Sequence, residues 1–109
     1  KLYHDGYLEA RSVEQTSVLD AAVSFARTEG ILPAPESAHA IRAAIDEALE
    51  CKKTGEKKTI LFGLTGTGYF DLSAYMSYHD GKMVDYIPTD EDLKSGFDTI
   101  LDIPQNKNA

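Results

Sequence analysis

The sequence is poor in several things, and each shortage closes off a class of protein. It holds one cysteine, Cys51, so no internal disulfide can form and a reducing cytoplasm is the expected compartment. No apolar run approaches the ~20 residues needed to cross a bilayer, and no secretory signal pattern is present. Basic residues are outnumbered, 11 Lys and Arg against 18 Asp and Glu. The net charge of -7 argues against a nucleic-acid backbone or an anionic membrane as partner, because both would be repelled. His4, His39 and His79 are scattered over different elements, and no Cys/His spacing suggests a metal site. Internal repeats, low-complexity tracts and convincing linkers are all missing. So is an initiator methionine: the chain opens at Lys1-Leu-Tyr-His-Asp-Gly and reads as a fragment of a longer protein.

What is there fits one modest α/β core. A chain of 109 residues, 42% hydrophobic and 27% charged, has room for a single domain. Residues 7–13 alternate loosely and predict a strand. Ser17-Val-Leu-Asp20 has the S-x-x-D form of a helix start. Val18, Ala22, Phe25 and Ala26 then share one helical stripe that ends at Gly30, a natural site for positive φ. Pro35 suits the first turn of a second helix, where its missing N–H costs nothing. That helix carries Ile41, Ile45, Ala48 and Leu49 on one stripe and closes at Lys52, Lys53 and Gly55. Glu36 falls in its first turn, near the positive end of the helix dipole.

The continuous apolar run from Thr59 to Leu64 predicts a strand covered on both faces, as in a parallel sheet. Ligands gather at the carboxyl ends of such strands, which puts Thr65 at a ligand edge. A short helix follows at Leu72-Ser-Ala-Tyr-Met-Ser-Tyr-His and stops at Asp80-Gly81. Met83 to Ile87 reads as extended, Thr89-Asp-Glu-Asp-Leu as an acidic helix start, and residues 104–109 as a disordered tail.

Tempting motifs fail on inspection. Gly63-Leu-Thr-Gly-Thr-Gly68 lacks the Lys-Ser/Thr ending of a phosphate loop, and Asp71 occupies the third glycine position of a dinucleotide fingerprint. His39 reads more simply as a helix residue hydrogen-bonded in place than as a catalytic group. Cys51 reads as a small apolar residue, and Asp90-Glu91-Asp92 as a solvated cap. Two positions keep both readings open. Glu36 is either a dipole-compensating carboxylate or a functional one; Thr65 is either a strand-end hydroxyl bonded to its own loop or a ligand contact.

Taken together, two phrases are more specific. Phe25-Ala-Arg-Thr-Glu-Gly-Ile-Leu-Pro-Ala-Pro-Glu-Ser-Ala-His-Ala-Ile41 and Leu61-Phe-Gly-Leu-Thr-Gly-Thr-Gly-Tyr-Phe-Asp71 resemble the C-terminal part of the tryptophan synthase β-chain family. The likeness is to its divergent second type and covers roughly residues 4–86. It implies a fold-type II architecture, a parallel sheet flanked by helices, with residues 1–109 forming the C-terminal segment of a larger enzyme dependent on pyridoxal 5'-phosphate. By the same resemblance Glu36 sits by the cofactor ring and steers protonation, and the Thr65 hydroxyl faces the pyridine nitrogen. Gly66 and Gly68 keep the backbone close to the ring without side-chain bulk.

The implied parent reaction is that of a lyase of tryptophan biosynthesis: β-replacement joining L-serine to indole, with release of water. A homodimer and a tryptophan synthase α chain are the implied protein partners. The departures are equally specific. Thr67 stands where related chains carry His or Arg. Neither an H-K-x-N lysine nor a G-G-G-S-N phosphate loop is present, and Lys57 and Lys58 sit in a charged turn unsuited to a nucleophile. The segment alone is therefore expected to be inactive. The alternatives are serine/threonine deamination, threonine synthesis, or a non-catalytic binding module.

Overall fold

A computed structural model describes residues 1–100. Its elements are α1 (Gln15–Glu29), α2 (Pro35–Thr54), a 3-10 turn (Gly68–Phe70), α3 (Leu72–His79) and α4 (Asp90–Phe97). The tail expected at 104–109 lies outside the described residues. The described residues divide into two units, one of residues Val13–Asp85 and one joining Lys1–Ser12 to residues 86–100.

In the first unit α1 packs along α2, with α3 against α1. Small residues make this possible: Val18, Ala21 and Ala22 of α1 and Ala38 of α2 are fully buried, with Ile41 close behind. Tyr75 of α3 completes the cluster, flanked by Val13, Val23, Leu32, Tyr78 and Met83. Both glycine stops behave as expected, since Gly30 and Gly55 adopt φ of 71° and 75° and their N–H groups close onto Ala26 and Cys51. Pro35 opens α2 and Glu36 follows in its first turn.

The expected parallel-sheet α/β fold is corrected: among the described residues there are four α-helices and no strand. A strand exists only as one side of a ladder, with a neighbour ~4.8 Å away to take its N–H and C=O groups. Neither 7–13 nor 59–64 has such a neighbour here, and no backbone hydrogen bond ties 59–64 to another described segment. The apolar run lies instead across the helix pair. Ile60 and Phe62 line an apolar groove of about 410 Å³ with Phe25, Ile41, Ile45 and Ala48, and the Phe25 and Phe62 rings meet edge to face at 6.1 Å. Leu61, between them, is 95% exposed. That alternation keeps the period of an extended chain without its ladder.

The start of α1 is also corrected. Its N-cap is Glu14, which makes no side-chain cap bond, and Ser17 lies inside the helix. The cap comes from far along the chain: Asp85 accepts from the Thr16 N–H at 2.9 Å and from the Thr16 hydroxyl at 2.6 Å. Beside it the Gln15 amide donates to the Val84 carbonyl. The Thr16 bonds hold the Asp85 carboxyl below its ordinary range. Because the folded-state pKa is the lower one, this stabilisation is complete above the unfolded value of 3.8 and is lost as pH falls through the lower folded value. Asp85→Asn is expected to lower the melting temperature at pH 7, with the gap to wild type narrowing as pH falls below 3.8. Circular dichroism melts across that range check it.

The second unit is held locally. Asp5 pairs with Lys1 at 2.9 Å, and Thr89 and Asp92 form a reciprocal capping box at the start of α4. Tyr86 donates to the same Asp92 carboxylate at 2.7 Å. These bonds, that of the Thr89 hydroxyl foremost, pull the Asp92 pKa down to about 2. The acidic cluster thus caps a helix, as its sequence suggests. No helix among the described residues is long and apolar enough to cross a membrane.

Candidate functional site

The singled-out residues lie on two short segments of the first unit that close on each other. The first, residues 31–37, comprises the 31–34 linker and the first turn of α2; prolines at 33 and 35 keep residues 32 and 34 extended and leave the linker's carbonyls free to pair. The second, residues 65–68, leads into the 3-10 turn. They meet in one antiparallel bridge between Pro33 and Thr67. The Ala34 N–H donates to the Gly66 carbonyl at 3.0 Å, and the Gly68 N–H to the Leu32 carbonyl at 2.9 Å.

The two glycines are what let the segments touch. A Cβ on Gly66 would lie 3.0 Å from the Ala34 Cβ. A Cβ on Gly68 would run into the Pro33 carbonyl and stand 2.9 Å from both Leu32 and the Tyr75 ring. Tyr75 locks the arrangement from α3, its hydroxyl donating to that same Pro33 carbonyl. Burial first, and then the nearby Asp71 charge, push the Tyr75 hydroxyl pKa up, so it remains a donor.

Thr65 is bound to α2 twice through one atom. Its N–H donates to Ser37 Oγ at 3.2 Å, and its hydroxyl lies 2.8 Å from the same Oγ. Ser37 is 3% exposed, whereas Thr65 and Glu36 are exposed. Glu36, one position before Ser37, has no hydrogen bond or ion pair among the described residues. The clasp therefore brings Thr65 and Gly66 onto Ser37 and Ala34 at the start of α2, and Gly68 against Leu32 and Pro33 of the linker, with exposed Glu36 next to Ser37 in the chain. Thr67 turns inward to its own loop, where its side chain caps the 3-10 turn.

His39 sits outside this group. It is exposed, with Nδ1 3.1 Å from the Pro35 carbonyl one turn back, the bland role its sequence suggested. Cys51 is half-buried late on α2. Reading the sequence missed Ser37, Pro33 and Tyr75. Ser37 had one available signal, a small hydroxyl directly after Glu36 in a helix's first turn. Tyr75 had none, since its partner is 42 residues away.

Comparison with known proteins gives a consistent set of relatives. The tryptophan synthase beta chain 2 of Aquifex aeolicus is 67% identical over 85 residues, covering 78% of this chain and 20% of that protein. That of Methanosarcina acetivorans is 62% identical over 84 residues, covering 77% and 19%. That of Pyrococcus abyssi is 50% identical over 94 residues, covering 86% and 21%. No family model matches the chain. The chain is homologous to the tryptophan synthase beta chain 2 proteins over about four-fifths of its own length and spans about a fifth of theirs.

Proposed function

We propose that this homologue of tryptophan synthase beta chain 2 is the C-terminal, cofactor-facing portion of an enzyme using pyridoxal 5'-phosphate. The full enzyme would replace the hydroxyl of L-serine with indole, forming L-tryptophan and water. It would work in the cytoplasm as a homodimer able to engage a tryptophan synthase α chain. The observation that carries this reading is the clasp, which holds one neutral hydroxyl, Thr65, on a side-chain-poor stretch against Ser37, the residue that follows exposed Glu36 in the first turn of α2.

The donor set fits one edge of the cofactor. A neutral hydroxyl suits an unprotonated pyridine nitrogen, where a carboxylate would hold the ring protonated. When bound, pyridoxal phosphate supplies the electron sink for bond breaking at the substrate's α and β carbons. This chain's share is to present the Thr65 hydroxyl to the ring nitrogen. Gly66 and Gly68 let the 65–68 stretch close on Ala34, Pro33 and Leu32, which holds Thr65 in place at Ser37. Glu36, exposed at the first turn of α2, takes and returns a proton near the reacting carbons. The lysine and phosphate loop that anchor the cofactor would come from the rest of the enzyme.

Kinetics of the full-length enzyme with L-serine and indole test the reading. Glu36→Gln is expected to lower kcat by ~10²–10⁴-fold, the range for a lost proton-transfer group. An unchanged kcat would remove Glu36 from the chemistry. Ammonia released from L-serine or L-threonine without tryptophan would assign a deaminase instead. No turnover of any amino acid would leave a binding module.

A further inference from the structure

We propose that Ser37 is a positioning residue that turns the Thr65 hydroxyl proton outward, making Thr65 a committed hydrogen-bond donor toward the cofactor ring. The inference rests on the reading above for the identity of the acceptor, and on burial for its direction. A hydroxyl has one proton to give and two lone pairs to receive. Ser37 Oγ already receives the Thr65 N–H at 3.2 Å, and the 2.8 Å contact between the two hydroxyls allows either to donate.

Exposure separates the two arrangements. If Thr65 donated inward, Ser37 would hold its own proton at a site 3% exposed, with no other acceptor among the described residues. A buried donor left unmade carries its full desolvation penalty. If Ser37 donates, every group is satisfied, because exposed Thr65 can send its proton to solvent or ligand. The circuit then runs from the Thr65 N–H to Ser37 Oγ, and from the Ser37 O–H to Thr65 Oγ1. Accepting that bond also polarises the Thr65 hydroxyl and strengthens it as a donor. Such a group suits an acceptor with a free lone pair, which an unprotonated pyridine nitrogen has.

The test uses the full-length holoenzyme loaded with pyridoxal phosphate carrying ¹⁵N in the ring, with the nitrogen's chemical shift as readout. Thr65→Val sets the position of a ring nitrogen without a donor, and Thr65→Ser should keep the wild-type position. Ser37→Ala is expected to move the resonance most of the way toward Thr65→Val, while cofactor affinity falls no more than about tenfold, the equivalent of one neutral hydrogen bond. Should Ser37→Ala fail to fold, Ser37→Cys keeps the volume with a weaker donor and should shift the resonance part of the way. A wild-type shift in both Ser37 variants, with Thr65→Val displaced, overturns the role of Ser37 and leaves the cofactor reading standing. A wild-type shift in Thr65→Val overturns the contact with the ring itself.

Discussion

Replacing Gly68 by alanine is expected to lower the unfolding free energy by about 1–3 kcal/mol, the usual cost of forcing extra volume into a packed site. Gly68 is buried, and the atoms its Cβ would meet are poorly placed to yield. One is the Pro33 carbonyl, held by the Tyr75 hydroxyl; the others belong to Leu32 and the Tyr75 ring, both packed in the core. Moving any of them loosens the bridge at 33 and 67, so the Thr65 stretch should lift from α2 in the same variant. Gly96→Ala is the control. Gly96 is the next-to-last residue of α4 with nothing within 4 Å of a new Cβ, and alanine there should add up to about 0.5–1 kcal/mol, the value for a helix interior. Denaturation followed by far-UV circular dichroism measures both. A Gly68→Ala protein as stable as wild type would mean the two segments do not approach this closely.

On the proposed reading, Thr65→Asp in the full-length enzyme should alter the course of the reaction more than the affinity for the cofactor. Losing one neutral hydrogen bond costs only ~0.5–1.5 kcal/mol of binding. A carboxylate close to the ring nitrogen acts differently, because an opposite charge at ~4–6 Å shifts a pKa by ~1–3 units toward the charged form. The protonated ring is the stronger electron sink, so side reactions and long-wavelength absorbance should rise while tryptophan formation falls. The Ser37 hydroxyl can donate to the new carboxylate as it does to Thr65, so the clasp itself should survive. Thr65→Ser keeps the hydroxyl and should keep most of the activity. Stopped-flow spectra and product ratios with L-serine and indole decide it. Wild-type behaviour from Thr65→Asp would place Thr65 away from the ring nitrogen.

The helices were legible in the sequence because their signals are local. The stripe through Val18 and Ala22, Pro35 at the head of α2, the stops at Gly30 and Gly55, and Thr89 before α4 each act within a turn or two of the chain. The family resemblance rested likewise on two continuous phrases, and homology over four-fifths of the chain bears it out. The sheet was not legible. An apolar run such as 59–64 records a preference for extended backbone and burial, but a strand is a relation between two segments, and its ladder needs a second one.

Only the tertiary structure supplied the rest, since each remaining contact joins residues far apart in the chain. Asp85 caps a helix that begins 70 residues before it, and Tyr75 holds the Pro33 carbonyl. Ser37, unremarked in the sequence, becomes the point to which Thr65 is bound twice. The sequence alone named Glu36, Thr65, Gly66 and Gly68 as the residues to watch. That two of them are glycine because a Cβ would strike the facing segment, and that burial at Ser37 sets the direction of a proton at Thr65, depends on distances no local pattern encodes.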